Sequence, residues 1–486
     1  MSLFGWVMIF AVLYVFFLAW SARKARQINA GEAHEDAFAA SGIGPVLLFL
    51  SFSATLFSTF TLMGIPNYFR VHGVTTWIFI GVTDVALGFV VYLFGCRYKE
   101  ALQAHGIQSM TSLLRLRFGT SVSRFVYIAG IYIFLAPYLA IQIKGVSDLF
   151  VQITNPDVPP VFWSVLMLAA IGVYSWVGGF RAIVFSDVVQ GLILLVVVWI
   201  IAAAVTDQFS DVPSIFETIR TERPELLTAP GPVGLMSYQF VLASFLAILW
   251  MPLTQPQLTT RIAASRNARS VPLMALGVSF FALVMLLPTI LIGLYGAATL
   301  DPAYSSSGFL ARVLIDDRLP IIGALSIVGL VAAAMSTADS QLFALGTETQ
   351  VAAAESEQEI TLTQNRIVTA VFAIVCLLLS LLANAELVSL ARVSFAGTAI
   401  MGPMIALAVW GRRKYSIVNP VVTGIALLVF MASATSLITN NVMSIRLDLI
   451  LFAVTATCCF AEYRLTRVTT AKLKGVHAVE EVRTDV

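Results

Sequence analysis

The sequence predicts an all-α polytopic membrane protein with about thirteen transmembrane helices, and three observations predict it. Of 486 residues, 59% are hydrophobic and only 12% charged, half the roughly 25% charge of a soluble domain. Mean hydropathy is +0.89. The apolar residues also fall in runs long enough for a bilayer, which takes about 20 residues per helix. With 29 basic against 27 acidic residues the net charge is only +2, which excludes a nucleic-acid binder. So little polar surface excludes a soluble enzyme with one large core.

The runs lie at 3–20, 44–66, 73–96, 124–147, 159–178, 183–206, 236–255, 270–297, 319–345, 366–384, 387–410, 415–435 and 444–462, and are called spans one to thirteen. Span one is not a signal peptide: Met1-Ser2-Leu3 has no basic side chain, no small-residue cleavage site follows, and Arg23, Lys24 and Arg26 come after it. It reads as an uncleaved helix with its N-terminus outside. On that topology 21 of the 29 basic residues fall inside, so the chain is expected to run N-out and C-in. The stretch 207–235, with Asp207, Asp211, Glu217, Glu222 and Glu225, reads as a solvated outer loop carrying a short helix. Residues 1–462 are expected to form one transmembrane domain, and 463–486 a short, polar cytoplasmic tail. Cys96, Cys376, Cys458 and Cys459 make no CxxC pair, and His34, His72, His105 and His477 lie outside the apolar runs. No zinc or haem site and no organic cofactor is expected. No GxxxxGK[ST] occurs, so ATP hydrolysis within this chain is excluded.

Function shows where membrane helices carry residues a passive span would avoid. Span two holds six hydroxyls in eleven residues, Ser51, Ser53, Thr55, Ser58, Thr59 and Thr61, ahead of Gly64-Ile65-Pro66. Either it is a tightly packed span or an unwound one whose freed carbonyls bind a cation. Span seven ends Thr254-Gln255-Pro256-Gln257, a helix stop or a second interruption. Interruptions five helices apart point to two inverted repeats, about 44–206 and 236–410. Span nine contains Ala333-Ala334-Met335-Ser336-Thr337-Ala338-Asp339-Ser340. Its i,i+3 and i,i+4 spacings gather hydroxyls and a carboxylate on one side, and neutral oxygens suit a hard cation that must be released again. Asp187, near the start of span six, is either a second cation ligand or a helix-start residue pairing with Arg181. Asp84 in span three has no assigned role.

These pieces together resemble the sodium:solute symporter family. Gly178-Gly179-Phe180-Arg181-Ala182 followed by Ser186-Asp187-Val188-Val189-Gln190 is similar to the family's GG-x-x-A…[ST]D-x-x-Q signature. Ala333-Ala334-Met335-Ser336-Thr337 is similar to its sodium helix, and Gln255-Pro256-Gln257…Arg261 to its QPH…R motif, with Gln257 replacing the usual His. Gly402-Pro403 before Trp410-Gly411-Arg412-Arg413 resembles its late GP…W-x-R segment. The resemblance covers nearly the whole chain. It implies a LeuT-like five-plus-five inverted repeat with flanking helices and sodium-driven uptake by alternating access. It also implies a main sodium site made of the Ala54, Phe57 and Ala333 carbonyls with the Ser336 and Thr337 hydroxyls. Asp187, Asp339 and Ser340 fall where some members bind a second sodium, although two carboxylates could instead share a proton.

The substrate is expected beside the break in span two. Candidates are Ser58, Thr61, Gln142, Trp250 and Arg392; a guanidinium near a helix end suits a carboxylate, or else snorkels to the interface. The expectation is therefore a sodium symporter of the plasma (bacterial inner) membrane. Its solute would be a small carboxylate such as an amino acid or organic acid, and a monomer would suffice for transport. A transporter-like solute sensor acting through a partner and a proton-coupled carrier are the other readings.

Overall fold

The structure, a computed structural model, describes residues 1–484 except 30–32, 40–41, 155–157, 233, 235–236, 302–303, 317, 355–356, 358–361 and 383–386. Helix is present in each of the thirteen stretches. Among the described residues, six helices are long and apolar enough to cross a membrane: Leu3–Asn29, Trp77–His105, Ser121–Ile153, Gly179–Asp207, Ala268–Thr299 and Pro320–Ala353. The number reaches eight when two bent pairs are counted, Pro45–Leu56 with Phe60–His72 (54°) and Leu390–Ile400 with Gly402–Trp410 (41°). Pro160–Gly172, Tyr238–Leu249, Ile367–Leu382 and Val418–Ala434 are apolar but shorter. The structure thus has fewer full-length apolar helices than the sequence has apolar runs, because several runs are short or broken. The polar tail continues the final helix, Leu447–Thr484.

The breaks have local causes. Spans five and six run on as Pro160–Asp207, kinked at Gly179 (φ 67°, ψ 176°), a backbone conformation that glycine adopts without a Cβ clash. Gly64-Ile65-Pro66 is not where span two breaks. The span fails earlier, at Phe57, which is extended (φ −90°, ψ 106°). Pro66 sits in the first turn of the next helix, Ile65–His72, where a missing N–H is tolerated. Span seven does not stop at Gln255; the helix breaks there and resumes as Pro256–Ala263.

Span nine is the axis of the molecule. Its most apolar stretch is 78% buried, against 11% for span one, and it packs on spans one, four and six. Large apolar side chains such as Phe16, Phe89, Phe125, Leu276 and Leu428 face outward, as a lipid-facing surface requires.

The two ends are closed differently. At one, the 207–235 loop is seated rather than simply solvated. Asp211 caps the helix Val212–Glu222 by accepting the Ser214 N–H at 2.9 Å, and Ile215, Ile219 and Leu226 bury against Leu294 and Ala297 of span eight. The Leu226 carbonyl accepts the Val74 N–H at 2.8 Å. A Cβ on Gly73 would stand 2.0 Å from that oxygen. At the other end, Glu348 of span nine accepts the Met110 and Thr111 N–H groups at 3.2 and 2.9 Å. A carboxylate is favourable at that helix N-terminus. Arg115 donates back to the Val351 and Ala354 carbonyls at 2.8 and 2.7 Å.

Candidate functional site

The break in span two is made by diverted backbone donors. Four N–H groups that a helix would send to the carbonyls of residues 54–57 go elsewhere. Ser58 N–H donates to Thr61 Oγ1 at 3.1 Å, and Thr59 N–H to Gln142 Oε1 at 3.3 Å. Phe60 N–H donates to Ser58 Oγ at 3.2 Å, and Thr61 N–H to the Ser58 carbonyl at 2.9 Å. Two of the freed carbonyls are taken up by neighbouring spans. The Thr337 hydroxyl of span nine donates to the Thr55 carbonyl at 3.0 Å, and the Tyr138 hydroxyl of span four to Leu56 at 3.3 Å. The other two, on Ala54 and Phe57, accept no hydrogen bond among the described residues. Oxygen atoms of this kind are costly to bury unless something binds them. The Thr337 hydroxyl stands one residue from Ala54 along this strip. A hydroxyl that has donated its proton keeps oxygen lone pairs for a cation.

A second polar cluster adjoins the first through Ser336, whose hydroxyl donates to Asp187 Oδ1 at 2.8 Å. Asp187 does not pair with Arg181, which binds Glu35 at 3.1 Å and Asn29 at 2.8 Å. It forms an ion pair with Arg261, and both side chains are wholly buried. Ser51 donates to Asp187 Oδ2 at 2.6 Å, and Arg261 donates to Ser51 Oγ at 2.8 Å, to Ser340 Oγ at 2.7 Å and to the Gln257 carbonyl at 2.6 Å. Asp339 is also fully buried. Its Oδ1 accepts a long bond from Ser340 at 3.4 Å, and its Oδ2 has no partner among the described residues. Two carboxylates and one guanidinium, all ionised, leave a net charge of −1. That balance has room for one more monovalent cation.

Of the residues expected at the substrate, Ser58, Thr61 and Gln142 come together. Gln142 Nε2 lies 3.4 Å from Ser58 Oγ, and the Tyr138 hydroxyl lies 3.5 Å from the same oxygen. Phe395 closes over this group, edge-on to Tyr138 at 5.0 Å and to Phe60 at 6.4 Å between ring centroids. Trp250 and Arg392 are elsewhere. Trp250 packs on Phe94 at 5.3 Å and on Phe452 at 5.5 Å. The Arg392 guanidinium lies 4.4 Å over the Phe240 ring. Sequence reasoning did not single out Tyr138, and named Arg261 only as the arginine of the QPH…R-like motif, with no role. Tyr138 stands one turn before Gln142 on the same helix face, and Arg261 one turn past Gln257; those spacings were the available signals.

A helical membrane protein whose broken span frees carbonyls beside buried hydroxyls and carboxylates is, as a class, an ion-coupled secondary carrier. The comparisons narrow the class. The model of the family described as "Sodium:solute symporter family" matches residues 38–416, so the chain belongs to that family. It is 25% identical over 467 residues to the osmoregulated proline transporter OpuE of Bacillus subtilis (strain 168), covering 89% of this chain and 92% of the relative. It is 23% identical over 218 residues to the sodium/pantothenate symporter of Haemophilus influenzae; there it spans about half of the relative, 45% of each chain. Among solved structures, a substrate-bound, outward-open Na+-coupled sialic acid symporter matches with a TM-score of 0.70 at 17% identity, covering 94% of this chain and 95% of that one. MhsT in complex with L-phenylalanine matches with a TM-score of 0.58 at 15% identity, covering 86% and 97%. The fold is therefore the LeuT fold of these carriers. The chain is a transporter rather than an enzyme, an integral multi-pass protein of the plasma (bacterial inner) membrane.

Proposed function

We propose that the protein is a sodium-coupled symporter that imports a small carboxylate-bearing solute by alternating access. One observation carries the ion reading: the unclaimed carbonyls of Ala54 and Phe57 lie on the strip that Thr337 holds to span nine. Ala54, Phe57, Ala333, Ser336 and Thr337 would form the main sodium site, all from neutral oxygens, which bind weakly enough for release. Asp187, Asp339 and Ser340 would hold a second ion, and the net −1 of their cluster with Arg261 supports that assignment. The same charge balance would be met by a proton on Asp339, whose Oδ2 is unpartnered among the described residues. This makes a proton-coupled carrier the second reading.

Ser58, Thr61 and Gln142, with Tyr138, would hold the polar part of the solute. Proline, pantothenate and sialic acid, named for the relatives and the matched structure, are all carboxylates. Breaks in both span two and span seven support inverted repeats of about 44–206 and 236–410 within a domain of 1–462. Thirteen crossings, N-out and C-in, with a monomer sufficient, complete the proposal. The test is uptake of labelled proline, pantothenate and sialic acid into proteoliposomes. An inward sodium gradient should drive accumulation of one of them, and choline in place of sodium should stop it. Uptake indifferent to that exchange sinks the sodium reading, and uptake that follows an imposed pH gradient instead establishes the second.

A further inference from the structure

At the hairpin end of the molecule a cavity of about 360 Å³ opens between spans seven, eleven, twelve and thirteen. It is separate from the Ser58 group, and Phe395, which lines it, is the wall between the two. Two guanidinium groups reach it. The Arg446 side chain is taken: Nε and Nη2 bind the two Asp448 oxygens at 3.1 and 2.5 Å. The Arg392 side chain is half-buried and has no hydrogen bond or ion pair among the described residues. Its Cζ lies 4.4 Å over the face of Phe240, while Arg446 sits over the same ring at 5.8 Å.

The cavity is built rather than incidental. The two-stranded hairpin Asn441–Val442 and Ile445–Arg446 forms its rim. Gln239 clamps that rim to span seven, donating to the Ser444 carbonyl at 2.8 Å and accepting the Arg446 N–H at 2.9 Å. The Ser433 hydroxyl donates to Asn440 Oδ1, fixing the rim to span twelve. Arg446 and Asp448 cancel, so the cavity carries one uncompensated positive charge, on Arg392. Ala243, Ala247, Phe79, Phe395 and Phe430 give the cavity an apolar side, and Ser244, Ser433 and Asn440 add neutral polar groups to the rest of its lining. A planar fork with a free edge matches a carboxylate, and the apolar walls match a small hydrocarbon body.

We infer that this cavity is a binding site for a small amphiphilic monocarboxylate, distinct from the Ser58 group. On the orientation proposed above it faces outside and serves as a loading site for the incoming solute. Only that role rests on the symport reading; occupancy does not.

The test uses the full chain in nanodiscs with benzoate as the probe and benzamide as its uncharged counterpart, read by saturation-transfer NMR. Benzoate should bind and benzamide should not. Arg392→Gln should weaken benzoate by about tenfold or more, the size of a lost charge-assisted hydrogen bond, and Arg392→Lys by less. Ala434→Trp, which fills the cavity and keeps both guanidinium groups, should abolish binding. Arg220→Gln, an exposed arginine at the same end, should change nothing. Full binding by Arg392→Gln or by Ala434→Trp, each with wild-type thermal unfolding, overturns the inference. Benzoate binding without sodium-driven uptake would sink the symport reading and leave the site standing, and the converse would do the reverse.

Discussion

At the scale of single residues, Arg261 is the largest side chain to be fully buried among the described residues. A buried pair is costly to break from one side, because the partner is left as an uncompensated charge, at about 3–5 kcal/mol. Arg261→Gln should therefore lower thermal stability in detergent far more than Arg261→Gln combined with Asp187→Asn. Equal losses for the single and double variants would show that the pair is not coupled. Thr337→Ala removes both the tie to Thr55 and a proposed ion ligand. The apparent sodium affinity for uptake should fall by about tenfold, roughly 1.4 kcal/mol; an unchanged sodium dependence would remove span nine from the site. Ser336, Thr337, Asp339 and Ser340 were legible because one helix carries them at i,i+3 and i,i+4. The role of Arg261 was not, because its partner lies 74 residues earlier in the chain and the two meet only through the packing of the Pro256–Ala263 helix against spans two and nine.

At the scale of elements, the break in span two depends on side chains from outside it. The density of hydroxyls marked the span as weak, and that much could be read. The position of the break could not be read, because Gln142 and Tyr138 of span four select which N–H and which carbonyl leave the helix. Gly64-Ile65-Pro66 does not mark the break for a physical reason: a proline placed in a helix's first turn starts it rather than ending one. Gln142→Leu keeps the size and removes the acceptor of the Thr59 N–H. It should cost about 1–3 kcal/mol of stability for the stranded donor and abolish uptake. Uptake with wild-type kinetics would mean that the break holds without span four.

At the scale of the whole molecule, fold class was legible because so few residues are charged, and the LeuT-like fold type through the motifs that resemble the sodium:solute symporters. The seated 207–235 loop was harder to see, since Ile215, Ile219 and Leu226 are too few among its acidic residues to announce a buried face. Orientation is directly measurable. In a cysteine-free background, Thr221→Cys should react with an impermeant maleimide applied to intact cells, and Arg413→Cys only after the membrane is opened; both are exposed positions. The opposite pattern would reverse the topology. The balance of Asp187, Asp339 and Arg261 also has an electrical consequence. On the proposed sodium reading, with Asp187 and Asp339 both ionised, the ion-free core would carry a net −1, and moving one charge fully across 100 mV is worth about 2.3 kcal/mol. On that reading an inside-negative voltage would push the empty core toward the outward-facing arrangement, and one bound sodium would cancel that push. The return of the empty carrier is the stage a cell's voltage would drive.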